Sequence, residues 1–141
     1  MLSWMMFIAS GVGPYSGQCV HFRHFAPEPK EYAVKRYLFE AKRHYGILDA
    51  HLAGKEWMVG KEYSIVDMAM WGWIRMLPFV IGASATDTAQ WDAYPNLKRV
   101  FDAVNARPAA ARAAALKDRH TFKTEMDDEA RNIMFRHIKA A

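Results

Sequence analysis

Two arginines on one predicted helix have aromatic neighbours and could bind an anion. Helical periodicity over residues 30–53 places Arg36 and Arg43 with Tyr32 and Phe39 within roughly 60° of one another, nearly opposite the core stripe. A solvated helix face ordinarily carries Glu, Lys and Gln, whereas a guanidinium fork suits a carboxylate. The pattern indicates either a pocket for an anion or a subunit interface. The alternative is that the arginine stems lie over exposed aromatic rings without a functional role.

Two histidines, His21 and His24, stand three residues apart in the segment VHFRHF. A zinc site needs further Cys, His or carboxylate ligands, and the neighbouring sequence does not supply enough of them to complete the coordination sphere. We therefore predict no metal site.

The glycine-rich segment GVGPYSGQ could suggest a phosphate-binding loop. It lacks the Gly-Lys-Ser/Thr ending, and no strand precedes it. We interpret it as a turn between two helical pieces, in which Gly11 and Gly13-Pro14 end a helix over residues 2–10.

The segment Ser64-Ile-Val-Asp67 has the pattern of a helix start. Ser64 is the predicted N-cap, and the Asp67 carboxylate is expected to reach back to the Ser64 N–H. The following apolar side chains point all round the axis as far as Leu77, which predicts a central, buried helix. Ser64 and Asp67 are therefore assigned a structural role as a cap.

The remaining pattern is helical throughout. The long helix at residues 30–53 has a core stripe, and later helices are predicted from Tyr94-Pro95-Asn96, from Pro108 to Lys117 and over residues 125–138. No alternating strand pattern occurs. We predict an all-α fold, a helical bundle, with one domain in 141 residues.

Composition excludes several classes of protein. The 19 basic and 15 acidic residues are interleaved, which argues against nucleic-acid binding despite a formal net charge of +4. No apolar run reaches the ~18–20 residues of a membrane span. A single cysteine excludes an internal disulfide framework and suits a reducing compartment, so we expect a cytoplasmic protein.

The order of these motifs resembles the C-terminal helical domain of the cytosolic glutathione transferases. The marks are the capping box, WMVGKEYSIVD and YPNLKRVFDAVNARPA, and the segments ASGVGPYSGQ, HFRHFAP and EYAVKRY are similar to the bacterial nu class. The resemblance covers about residues 3 to 116. It implies a helical domain over 1–116. The tail, residues 117–141, matches no family pattern and is expected to be partly helical from its own residues.

The resemblance also implies a function. Enzymes of this family are homodimers that use glutathione as co-substrate without a metal, and the nu class performs thiol–disulfide chemistry with glutathione disulfide besides conjugation to small electrophiles. By the same resemblance Arg36 contacts glutathione, while Trp4 and Tyr15 line the electrophile site. The dimer is expected to form through the first two helices.

The sequence lacks the thioredoxin-like half of such enzymes, whose groups activate the glutathione thiol. We therefore assign no catalytic residue to these 141 residues and expect the isolated chain to be nearly inactive. Cys19, a lone thiol near two histidines, could form a mixed disulfide with glutathione; we favour an inert, partly buried thiol. The alternative function is a non-catalytic helical module for protein–protein interaction.

Overall fold

The computed structural model describes residues 1–123 and 125–136. Within these residues the α-helices are α1 Leu2–Phe7, α2 Gly13–Val20, α3 Glu31–Leu52, α4 Ile65–Ile74, α5 Leu77–Ile81, α6 Pro95–Asn105, α7 Pro108–Ala114 and α8 Asp128–Met134. The same residues contain no β-strand, and a single isolated bridge joins Trp57 and Gly60. The predicted all-α class is confirmed.

The chain divides into two compact units, Met1–Arg107 and the residues from Pro108 onward. In the first unit α3 is central and contacts α2, α5 and α6, while α4 contacts α1 and α6. The apolar side chains that are almost completely buried in this unit include Val12, Tyr45, Leu48, Leu52, Met70, Ile74, Leu77 and Leu97. The core therefore forms around the buried face of α3.

The predicted turn after residue 10 is wrong. A π-helical turn, Ile8–Val12, joins α1 to α2, and a second one, His21–Phe25, follows α2. A proline inside a regular helix clashes with the carbonyl four residues earlier, and a wider π turn directly before Pro14 relieves that clash. The chain thus stays helical from Leu2 to Phe25 and leaves the helix at Ala26, where ψ is 130°.

The glycines in this segment serve helix packing. An added Cβ at Gly11 would lie 2.6 Å from Nε2 of His44, and one at Gly13 would lie 2.8 Å from Cζ2 of Trp73. Both contacts are far below van der Waals distance. The two glycines therefore allow other helices to approach this one closely, and neither ends the helix.

The long helix forms as predicted, and hydrogen bonds from Arg99 support its C-terminal end. α3 is followed by Gly54, whose φ of 69° suits a residue without a Cβ. The Arg99 guanidinium on α6 donates to the carbonyls of Leu52 at 3.3 Å and of Glu56 at 3.2 Å. The bond to Leu52 satisfies a main-chain oxygen at the end of α3 that has no helical partner, and the bond to Glu56 joins the following loop to α6.

The predicted capping box at α4 is confirmed. The Ser64 hydroxyl accepts from the Val66 N–H at 3.3 Å, and the Asp67 carboxylate accepts from the Ser64 N–H at 2.9 Å. Asp67 also accepts from the main-chain N–H of Met58 at 2.8 Å and is completely buried. The cap therefore ties the preceding loop to the helix as well as starting it.

The helix after this cap is shorter and less buried than predicted. α4 ends at Ile74, and a new helix, α5, begins at Leu77 with Pro78 in its first turn. Pro78 has no N–H to donate to Ile74, so a regular helix is interrupted there. One face of the α4 region is open, since Ile65, Met68, Trp73 and Met76 are 40–53% exposed.

The second unit begins with the alanine-rich helix α7, which starts at Pro108 as predicted. α7 ends at Ala114, and a 3₁₀ turn, Ala115–Arg119, follows it. The helix predicted over residues 125–138 is present as the shorter α8, Asp128–Met134. Asp127 caps α8 by accepting from the Ala130 N–H at 2.9 Å, while the predicted end at Ile138 lies outside the described residues.

Across residues 1–123 and 125–136, no helix has both the length and the apolar character needed to cross a membrane.

Candidate functional site

A row of aromatic rings runs between the N-terminal helix and α3. Neighbouring centroids are 4.9–6.2 Å apart along the row, which consists of Trp4, Phe7, His44, Tyr15, Tyr37 and Phe22. We call this set the aromatic row. At its first end, Trp4 also lies 4.0 Å from the ring of His51. Two predicted electrophile-site residues, Trp4 and Tyr15, therefore belong to one continuous row of ring contacts, although they do not touch each other directly.

His44 is the centre of this row. Its ring lies between Phe7, at 5.2 Å, and Tyr15, at 4.9 Å, and only 4% of the residue is exposed. Nδ1 lies 2.7 Å from the main-chain oxygen of Glu40. A carbonyl oxygen can only accept, so Nδ1 carries the proton and the ring has a fixed orientation. Sequence reasoning missed His44, although its place on the buried side of α3 was an available signal.

Beside the aromatic row lies a charged set on α3, which we call the arginine–glutamate cluster: Arg36, Glu40 and Arg43. Arg36 Nη1 donates to Oε1 of Glu40, Arg43 Nε donates to Oε2 at 2.8 Å, and Arg43 Nη2 forms an ion pair with the same oxygen, also at 2.8 Å. The Glu40 side chain is 8% exposed, whereas each arginine side chain is 46% exposed. A buried carboxylate thus holds two half-exposed guanidinium groups at the surface.

These contacts shift the pKa values of Glu40 and Arg36 and set the net charge of the cluster. The hydrogen bonds from Arg43 and Arg36 stabilise the ionised form of Glu40 and hold the pKa of this carboxyl below its usual value. In turn Glu40 raises the pKa of Arg36 further above its ordinary value. Two cations facing one anion leave the cluster with one unit of positive charge, so it can accept an anionic ligand.

Tyr15, in the aromatic row, has a small electrostatic effect on the cluster. After Glu40, the phenols of Tyr15 and Tyr32 also contribute to the raised pKa of Arg36. Of the predicted site residues, Arg36 lies in the cluster, whereas Tyr15 and Trp4 lie in the aromatic row, with Trp4 at its end. Tyr32 is 81% exposed and Phe39 is 62% exposed, so both remain open to a ligand or a partner.

Glu40 was also missed from the sequence. It stands four residues after Arg36 and three before Arg43, the spacings at which helical side chains meet. This i, i+4 and i, i+3 pattern was a signal that the sequence contained.

Cys19 is shielded from solvent, and its environment lowers the reactivity of its thiol. The residue is completely buried, and its Sγ lies 3.3 Å from the main-chain oxygen of Val80. Burial raises the pKa of the Cys19 thiol, although Arg23 opposes that shift. The thiolate that disulfide exchange requires is therefore disfavoured.

In the part of the chain that the structure describes, no group of three or more His, Cys, Asp or Glu side chains is placed to hold a metal ion. His24 instead lies with Nε2 2.9 Å from the Phe79 carbonyl oxygen.

Comparison with known proteins identifies the fold family. The profile of the glutathione S-transferase C-terminal domain matches residues 4–108. The chain belongs to this family. The resemblance found in the sequence is confirmed, and the match covers the unit that contains the aromatic row and the arginine–glutamate cluster.

Relatives of this glutathione S-transferase domain include a bacterial disulfide-bond oxidoreductase. The chain is 34% identical over 128 residues to the disulfide-bond oxidoreductase YfcG of Escherichia coli (strain K12), an alignment that covers 91% of this chain and 53% of that protein. The chain therefore spans about half the length of this curated relative.

Solved structures with bound glutathione have the same helical arrangement. A glutathione transferase from Burkholderia graminis, with two glutathione molecules per subunit, superposes with a TM-score of 0.73 at 34% identity, covering 84% of this chain and 49% of that one. A Pseudomonas putida glutathione transferase with one glutathione disulfide per subunit gives a TM-score of 0.71 at 36% identity, covering 82% and 50%.

Proposed function

We propose that this chain is the helical domain of a nu-class-like glutathione transferase that binds glutathione or glutathione disulfide through Arg36. The observation that carries this proposal is the similarity, at 34–36% identity, to solved transferases with bound glutathione or glutathione disulfide. The charge of the arginine–glutamate cluster supports it, because glutathione is a carboxylate-bearing tripeptide and guanidinium groups bind carboxylates well. Aromatic rings beside Arg36 give apolar parts of a second substrate a surface to contact.

The residues present account for substrate binding, whereas activation of the glutathione thiol is assigned elsewhere. Trp4 and Tyr15 wall the electrophile site, and Arg36 holds a carboxylate of glutathione. Conjugation and thiol–disulfide exchange both need a glutathione thiolate, and we assign its activation to groups outside these 141 residues. No catalytic residue is proposed within the chain. The domain occupies residues 1–116, the tail comprises 117–141, and the working form is a cytoplasmic homodimer joined through the first two helices.

Titration of the isotope-labelled chain with glutathione disulfide, followed by NMR, tests the binding role. We expect chemical-shift changes around Arg36 and Tyr15, and an affinity lowered about tenfold or more in Arg36→Ala, the loss typical of a charged hydrogen-bonding partner. Lys35→Ala is the matched control, because Lys35 is 75% exposed on the same helix and pairs with Glu31. Unchanged binding in Arg36→Ala would contradict the assignment.

A glutathione-conjugation assay tests whether the groups that activate the glutathione thiol lie outside these 141 residues. We expect almost no turnover from this polypeptide alone, since the activating groups are assigned elsewhere. Turnover close to that of a complete transferase would refute that assignment.

One observation favours the alternative, a protein–protein interaction module. Ile65, Met68, Trp73 and Met76 leave an apolar face of the α4 region 40–53% exposed, and such faces mark contact surfaces. Under this alternative Trp73→Ser abolishes a stoichiometric complex, and wild-type protein shows no binding of glutathione disulfide. Binding that depends on Arg36 decides for the first proposal.

A further inference from the structure

The two arginines of the cluster share one carboxylate, and this arrangement has a consequence for ligand binding. We propose that Glu40 is a positioning residue that holds the Arg36 guanidinium in the orientation in which it receives a carboxylate of glutathione. The inference rests on the proposed function, in which Arg36 contacts glutathione. It adds a residue that touches no ligand itself and acts through Arg36.

The first argument is the way the two oxygens of Glu40 are used. Arg43 binds Oε2 with Nε and Nη2, both at 2.8 Å, so this guanidinium fixes one side of the carboxylate. The other oxygen, Oε1, accepts from Nη1 of Arg36. Arg43 therefore holds one oxygen of the Glu40 carboxylate, and the other oxygen sets the place of Arg36.

The second argument is that contacts with His44 and burial restrict the position of Glu40. Its main-chain oxygen accepts from Nδ1 of His44 at 2.7 Å, and Nδ1 lies 3.8 Å from the Glu40 carboxylate. The side chain is 8% exposed, in contrast to the Glu31–Lys35 pair on the same helix, where both side chains are at least 75% exposed. Exposed pairs of that kind give little fixed geometry, whereas a buried carboxylate that accepts a hydrogen bond on each of its two oxygens keeps its orientation.

The third argument concerns competition, since a carboxylate already on Arg36 could exclude that of the ligand. Glu40 engages one nitrogen of Arg36, and a guanidinium has five N–H donors, so donors remain for a second carboxylate. The cluster keeps one unit of positive charge, and the Arg36 side chain is 46% exposed. Glu40 can therefore hold Arg36 while Arg36 binds a ligand.

Titration with glutathione disulfide tests the inference on the full 141-residue chain. We expect Glu40→Gln to weaken binding about 3- to 10-fold, because an unheld arginine must be ordered when the ligand binds. The double variant Arg36→Ala/Glu40→Gln should bind as Arg36→Ala does, since Glu40 acts only through Arg36. Glu31→Gln removes the exposed pair on the same helix and should leave the affinity unchanged.

Each other outcome has a separate meaning. Equal or tighter binding by Glu40→Gln, with weak binding by Arg36→Ala, overturns the positioning role and leaves the proposed function standing. A further loss in the double variant shows an independent effect of Glu40 and also overturns the inference. Unchanged binding in Arg36→Ala refutes the proposed function and this inference with it.

A second pair of variants covers the case in which Glu40→Gln does not fold. Glu40→Asp keeps the charge but draws it back by one methylene group, and Arg43→Gln removes the group that holds Oε2 of the carboxylate. Both should lower the affinity by less than Arg36→Ala does, and the loss should vanish when Arg36 is Ala. Undiminished affinity in both variants overturns the inference.

Discussion

The imidazole of His44 occupies the space that a side chain at position 11 would need. An added Cβ on Gly11 would lie 2.6 Å from Nε2 and 2.8 Å from Cδ2 of this buried ring. The ring cannot move aside freely, because its Nδ1 is hydrogen-bonded to the Glu40 main-chain oxygen. The π-helical turn and the ring at the centre of the aromatic row are therefore fitted to each other.

Replacing Gly11 by Ala should destabilise the fold. Forcing a methyl group against a fixed ring costs about 1–3 kcal/mol in a well-packed core. Gly17→Ala is the matched control, because Gly17 lies in the same helical segment, is exposed and has no atom within 4 Å of an added Cβ. It should stabilise the protein by about 0.5–1 kcal/mol. Urea unfolding measures both; equal effects at the two positions would contradict the close fit.

Loss of Asp67 should cost more than loss of Ser64. Ser64→Ala removes a cap worth about 1 kcal/mol. Asp67→Ala removes the other half of the box and leaves the buried Met58 N–H without its acceptor, which adds about 1–3 kcal/mol. Chemical denaturation should show this order, with the affinity for glutathione disulfide unchanged in the folded protein. Unchanged stability together with lost binding would show that the cap belongs to the ligand site.

Glu40 should make the stability depend on pH in the acid range. Its pKa is lowered in the folded state by Arg43 and Arg36, so the contribution is fully present above the unfolded-state pKa of about 4.5. The contribution is lost as the pH falls from there through the folded-state pKa. Thermal unfolding between pH 6 and pH 3 should therefore show a shallower loss for Glu40→Gln than for wild type. The exposed Glu31→Gln is the control, and identical slopes for all three proteins would exclude this role of Glu40.

Cys19 should resist thiol reagents in the native protein. The thiol is completely buried and burial raises its pKa, so both access and the thiolate fraction are low. Labelling with a chromogenic disulfide at pH 8 should give almost no reaction in buffer and one thiol per chain in denaturant. Rapid native labelling, or a mixed disulfide with glutathione seen by intact mass, would favour the exchange role instead.

Local patterns in the sequence predicted the local structure. Ser64 and Asp67 form a cap within four residues, and hydrogen bonds over so short a span depend little on the rest of the fold. The 3.6-residue period of α3 likewise predicted which face is buried, because Ala41, Tyr45 and Leu48 lie on one side of any helix. These features also supported the family assignment, which the comparisons confirm.

Tertiary packing decided the features that the sequence pattern misjudged. Glycine and proline ordinarily end helices, yet close approach of His44 and Trp73 gives Gly11 and Gly13 a packing role, and a π turn accommodates Pro14. The apolar α4 segment predicted complete burial, but only three-dimensional packing determines which faces are covered, and one face stays open.

Tertiary packing also decided the arrangement of the candidate site. The sequence by itself determined an all-α fold, the helix that carries Arg36 and the face that carries its aromatic neighbours. Only the tertiary structure showed His44 as the link between Phe7 and Tyr15, and a buried Glu40 between two arginines. Periodicity places a side chain on a helix face, whereas its contacts and its charge environment depend on which helices pack against that face.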